Sequence, residues 1–246
     1  MTTVLMPTSG LLLLADSRLP TGGHAHSAGV EAAVERGLLR DEAGLAQWLA
    51  GRLLGSAAAI AAAAAAGCLL AAAEIAPEVS SEVPPEEPVD WARWDGAVSA
   101  RTPSAATREA SRAQGAALLR TARQIWSSPA LEALSAHHRP HHPLVLGAAV
   151  AAAGDTPDAA ALLALHHLVG GACSAAVRLL GLDPIAVAAT AARAGQAAER
   201  IAREATLLAR AAVARRDTRL LPSTGTPLPE VLAELHARAE VTLFAS

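Results

Sequence analysis

The chain has 246 residues, a formal net charge of −3 and a composition that is 52% hydrophobic but only 2% aromatic. That length is ample for a buried core, and the charge leaves no broad cationic footprint for nucleic acid. All 20 basic residues are arginine, which excludes a Walker phosphate loop and a Schiff-base lysine.

Alanine and leucine dominate while β-branched and aromatic residues are scarce, so the expected fold class is all-α. Cys68 and Cys173 lie far apart in apolar runs and read as buried thiols. The N-terminus lacks the basic region of a secretory signal, which points to a cytoplasmic protein.

In chain order, residues 1–10 read as a lead-in. Residues 11–39 open with four leucines and Asp16-Ser17, followed by a Pro20-Thr21-Gly22-Gly23 turn, His24 and His26, and an apolar run with Glu31 and Glu35. The pattern predicts a short buried segment, a sharp turn and a helix carrying Val30, Val34 and Leu38-Leu39, with Gly37 as its stop. Asp41 then caps one long helix from about Glu42 to Ala76, ended by Pro77. Its portion 53–73 is uncharged and long enough to span a bilayer. It is mostly alanine, a weak membrane inserter, and no aromatic belt or arginine cluster flanks it. A central helix buried all round is the reading adopted. Residues 77–90 are acidic and proline-rich, a loop.

Trp91 and Trp94 restart helical spacing, and Pro103 or Ser104 opens a helix reaching Trp126. Arg101, Arg108, Arg112, Arg120 and Arg123 fall on one side of it, with Glu109 as the one balancing acid and Leu118, Leu119, Ile125 and Trp126 as core anchors. Such a stripe is either a solvated face or a dock for an acidic partner. His137, His138, His141 and His142 have the right chemistry for transition metals. Pro140 and Pro143 break the helix that would align them, and no metal site is assigned.

Two apolar helices, 143–154 and 159–180, follow, separated by Gly154-Asp155-Thr156-Pro157. His166 or His167 must face the interior or an oligomer seam, and Gly170, Gly171, Ala172, Ser174 and Ala175 are expected to admit a neighbouring helix closely. Asp183-Pro184 starts a long helix towards Arg216. After a turn-rich connection at 217–229, Pro229 opens a closing helix with Leu232 and Leu235 as core candidates. His24, His26 and Ser27 near Asp16 lack the further carboxylate-histidine set of a hydrolase. No catalytic, cofactor-binding or metal-ligating residue is assigned.

Besides His142 with the apolar run after it and residues 174–184, three stretches resemble the UreF-type urease accessory proteins. The first comprises Ala15, Asp16, Ser17, Leu19, Pro20, Thr21, Gly22, Gly23, His26, Ser27, Gly29 and Glu31. The second is Thr107, Arg108, Glu109, Ala110, Ser111, Gly115, Leu118 and Leu119, and the third is the end of the chain, His236, Leu243, Phe244 and Ser246. The resemblance implies one all-helical domain over 1–246, a bundle of roughly eight to ten helices. It further implies a non-catalytic, homodimeric scaffold without cofactor. Its partners would be the UreD/UreH-type accessory protein, the GTPase UreG and apo-urease, with no nucleic acid or membrane. Partner contacts are expected at Asp16, Ser17, Pro20, Thr21, Gly22, Gly23, His26, Ser27, Glu31, Arg108, Arg112 and Gly115, and at the tail 241–246 with His236, Leu243, Phe244 and Ser246. The alternative is a histidine-rich nickel-binding or nickel-buffering protein using the 137–142 cluster.

Overall fold

The computed structural model describes residues 8–21, 27, 29–75 and 88–239. The expectations for Gly22, Gly23, His26, Leu243, Phe244 and Ser246, and for most of the 77–90 loop, lie outside them. The described chain is all-α. Its helices are α1 (Ser9–Ala15), α2 (Val30–Glu35), α3 (Glu42–Leu54), α4 (Ala57–Ile75), α5 (Trp91–Ala100) and α6 (Ala105–Ile125). They continue as α7 (Pro129–Ser135), α8 (His142–Ala152), α9 (Pro157–Leu180), α10 (Pro184–Ala214) and α11 (Pro227–His236), with a 3-10 turn at Thr218–Leu220. Thr8, Asp41, Asp90, Ser104, Thr156 and Asp183 cap their helices by accepting a first-turn N–H.

The alanine run forms α4, which packs against α8, α9 and α10 and buries Ala57, Ala59, Ala61 through Ala66, Gly67 and Cys68. Side chains this small let backbones meet. A Cβ on Gly67 would sit 2.6 Å from the Leu144 carbonyl oxygen, and one on Gly147 would strike the Ala64 carbonyl oxygen and lie 2.6 Å from the Cys68 nitrogen. Both α4 and α9 are long and apolar enough to cross a membrane, but α4 is the bundle's inner helix.

Several local expectations change. The single helix 42–76 is two, broken at Gly55-Ser56, where Gly55 leaves helical geometry at φ −98°, ψ −103°. The break is stitched by the segment before α11: the Ser56 N–H donates to Thr226 Oγ1 (3.0 Å) and Thr224 Oγ1 donates to the Gly55 carbonyl (2.8 Å). In α1 only Leu14 is buried, while Leu12 and Leu13 are exposed. Leu38, Ile125 and Leu235 are also exposed rather than core, and the closing helix starts at Pro227. Helix α7, just before the histidines, had no counterpart among the expected elements. The close approach assigned to Gly170 and Gly171 is absent, since a Cβ on either meets no atom within 4 Å. The tight contact belongs to Gly67 and Gly147.

These two kinds of glycine respond oppositely to a methyl group. Gly147→Ala is expected to destabilise by about 1–3 kcal/mol, because backbone cannot step aside. Gly171→Ala, in open space within α9, is expected to be neutral or to stabilise by up to ~1 kcal/mol through helix propensity. Urea unfolding midpoints of the two variants measure the contrast.

Candidate functional site

Helix α1 ends at Asp16, and the first signature turns the chain away from it. Arg18 grips Asp16 with its Nε (3.0 Å) and Nη2 (2.6 Å), which holds the Asp16 carboxyl down at about 2. Ser17 and Pro20 are exposed, and Thr121 Oγ1 of α6 donates to the Pro20 carbonyl (3.0 Å). Gly29 opens α2 with φ +83°, a conformation side chains disfavour, and packs where a Cβ would lie 3.3 Å from the Trp48 ring. Ser27 and Glu31 are buried, and Glu31 Oε2 lies 3.3 Å from Nε2 of the equally buried His236. The root of the C-terminal tail is thereby held against the first signature.

The second signature sits on α6, whose N-terminus is fastened by α11. Glu230 Oε2 accepts from the Ser104 N–H (2.9 Å), and Glu234 Oε1 accepts from Ser104 Oγ (2.7 Å) and the Ala106 N–H (3.0 Å). These donors hold the Glu234 carboxyl below the usual glutamate range.

The arginines are not a free cationic stripe. Arg101 lies outside α6 and donates to the carbonyls of Ala97, Thr218, Leu221 and Pro222. Arg108 donates to the Thr102 and Pro103 carbonyls (2.7 Å each). Arg112 pairs with Asp95 (2.7 Å) and donates to the Arg139 carbonyl (2.6 Å) and Ser99 Oγ (3.0 Å). Arg123 pairs with Glu132, while Glu109, the supposed balancing acid, pairs with Arg139. Linear sequence concealed these partners because Asp95 comes from α5 and Glu132 from α7. Gly115 is buried with its Cα facing the backbone from Pro140 to His142, so its smallness serves internal packing.

The histidine cluster is dispersed. His141 is fully buried, with Nε2 2.9 Å from Ser99 Oγ and Nδ1 3.0 Å from Ser111 Oγ, while its N–H donates to Asp95 Oδ1 (2.8 Å). His138 is exposed, and His142 turns towards His167, ring centres 6.0 Å apart. His167 donates from Nε2 to the Leu14 carbonyl (3.0 Å). Burial lowers both His141 and His167 to about 4. Among the described residues no three His, Cys, Asp or Glu side chains are grouped to hold a metal ion.

Both signatures meet at a cavity of about 510 Å³. Asp16, Ser17, Thr21 and Gly29 contribute from the first, and Thr107, Ser111 and Gln114 from α6. His166, His167, Gly170, Gly171 and Ser174 of α9 face them, and Arg52 and Ser56 line it from the α3–α4 break. Sequence reasoning passed over Arg52, although it is the only charged residue between Glu42 and Glu74. That isolation was its signal.

The described residues thus form an all-helical bundle that gathers the two signatures around one cavity. The UreF family model matches residues 39–195. The urease accessory protein UreF of Mycolicibacterium vanbaalenii is 40% identical over 236 residues, covering 96% of this chain and 97% of that protein. The UreF of Mycobacterium marinum is 37% identical over the full length of both chains, and that of Mycobacterium tuberculosis is 36% identical over 236 residues, 96% of this chain and 97% of its own. The chain belongs to the UreF family of urease accessory proteins.

Two outcomes follow from this geometry. Arg112→Ala is expected to cost about 2–3 kcal/mol, since it strands the half-buried Asp95 and frees the Arg139 carbonyl. Chemical denaturation reads that loss. His141 and His167 titrate lower in the folded protein than the ordinary histidine value of 6.5, so the unfolded chain takes up protons first on acidification. Their contribution to stability is complete above pH 6.5 and is lost as pH falls towards about 4. Melting temperatures across that window should decline, with a shallower decline in His141→Asn.

Proposed function

We propose that this chain is a cytoplasmic, non-catalytic scaffold of urease maturation. It acts as a homodimer that binds the UreD/UreH-type accessory protein and recruits the GTPase UreG for nickel delivery into apo-urease. The observation that carries the reading is convergence on one region. The exposed Ser17 and Pro20 of the first signature, the α6 motif tied to Pro20 through Thr121, and the root of the tail at His236 against Glu31 adjoin one another. A scaffold gains from such clustering, because holding GTPase, metal donor and acceptor together converts metal transfer into an effectively intramolecular step.

Within this reading the docking groups are the exposed turn 17–20, the exposed Arg120 of α6 and the tail 241–246, with Phe244 as an aromatic anchor. Arg112, Gly115, Glu31 and His236 support that surface from within rather than touching the partner, given their engagement or burial. The scaffold reading is favoured over a histidine buffer because His141 is held between Ser99 and Ser111, and among the described residues no three His, Cys, Asp or Glu side chains are grouped to hold a metal ion.

Deleting residues 243–246 is expected to reduce co-purification with a UreD-type partner and to lower urease activation, with unchanged helical content by circular dichroism. Undiminished co-purification and activation would overturn the tail's role. Replacing His137 and His138 by alanine is expected to leave both readouts intact, and loss of activation there would favour nickel buffering.

A further inference from the structure

The α3–α4 break leaves one cation in an unusual position. Arg52 lies on the last turn of α3, and its Nε is buried with no hydrogen-bond partner among the described residues. Ser56, four residues on, presents a hydroxyl that is likewise buried and unpartnered. Both line the 510 Å³ cavity, where Ala59, Ile60 and Ala63 of α4 continue the wall. The acid nearest in effect is Glu230 of α11, but its Oε2 is engaged by the Ser104 N–H and it forms no ion pair with Arg52. Leaving a guanidinium N–H and a hydroxyl buried and unsatisfied is costly. An apolar wall with a few unsatisfied polar groups, in a cavity of this size, is how small-molecule sites are built.

We propose that this cavity binds a small organic carboxylate, its carboxyl group accepting from Arg52 and Ser56 Oγ and its apolar body lying along Ala59, Ile60 and Ala63. The guanidinium fork matches a carboxylate in two parallel hydrogen bonds, which a neutral ligand cannot supply. From Ser56 to Ala63 the α4 wall extends about 10 Å at the helical rise, long enough for a short alkyl chain. Burial pushes the Arg52 pKa down, and an anion beside it relieves that penalty. The assignment is independent of the scaffold reading, because it concerns ligand binding by the isolated chain and not urease activation.

The full-length protein is titrated by calorimetry and thermal shift with hexanoate, hexanol and inorganic phosphate. Hexanoate is expected to bind and raise the melting temperature, with hexanol and phosphate at least about tenfold weaker. Arg52→Gln is expected to weaken hexanoate by about tenfold or more, and Arg52→Lys, which keeps the charge without the fork, by less. Ile60→Trp, which fills the cavity and leaves Arg52 in place, should abolish binding even if Arg52→Gln proves unstable. Failure of hexanoate to bind, equal binding of hexanol or phosphate, or affinity unchanged in Ile60→Trp or in folded Arg52→Gln would each overturn the proposal.

Discussion

The close backbone contact of α4 with α8 is the constraint on which the rest of this bundle depends. It requires an α4 built mostly of alanine, with Gly67 against Leu144 and Gly147 against Ala64 and Cys68. Dispersion and burial grow with the number of atoms in contact, so small residues compensate for little area each by letting more backbone come within reach. The consequence is a core that, among the described residues, contains neither phenylalanine nor tyrosine. The larger side chains, Trp91, Trp94 and the buried leucines of α3, α7, α8 and α9, then fill the periphery around that inner helix.

Such a core leaves space where small residues are not matched by a neighbour. Gly170 and Gly171 on α9 have the same composition signature as Gly67 and Gly147, yet an added methyl group there would meet nothing. One pair joins helices and the other widens a cavity. The difference depends on which helix lies opposite, a tertiary fact that a run of small residues does not encode. The cavity is thus a by-product of the packing rule that stabilises α4, placed where the two signatures border it.

Helix class and most helix starts were legible in the sequence, because capping chemistry is local. Asp41, Ser104, Thr156 and Asp183 announce their helices and do cap them. The break at Gly55 was not legible: the glycine costs a helix only about 1 kcal/mol by itself. It becomes a break because Thr224 and Thr226, some 170 positions away in the chain, supply the hydrogen bonds that the interrupted helix lacks. The candidate site divides in the same way. The signature residues were visible as a resemblance, whereas the partners of Arg108, Arg112 and Arg123 arise from other helices or from loop carbonyls and had no sequence signal.

The fate of those arginines changes what the second signature does. An arginine whose fork is already satisfied by Asp95, Ser99 and a backbone carbonyl has few donors left for another protein. Its energetic role lies instead in joining α5, α6 and the segment before α8, the same junction that His141 fills with two serine contacts. Because α6 is also capped by α11 and tied to Pro20, a disturbance at Arg112 would reach both the signature turn and the root of the tail. The motif therefore fixes the relative placement of the exposed elements around it.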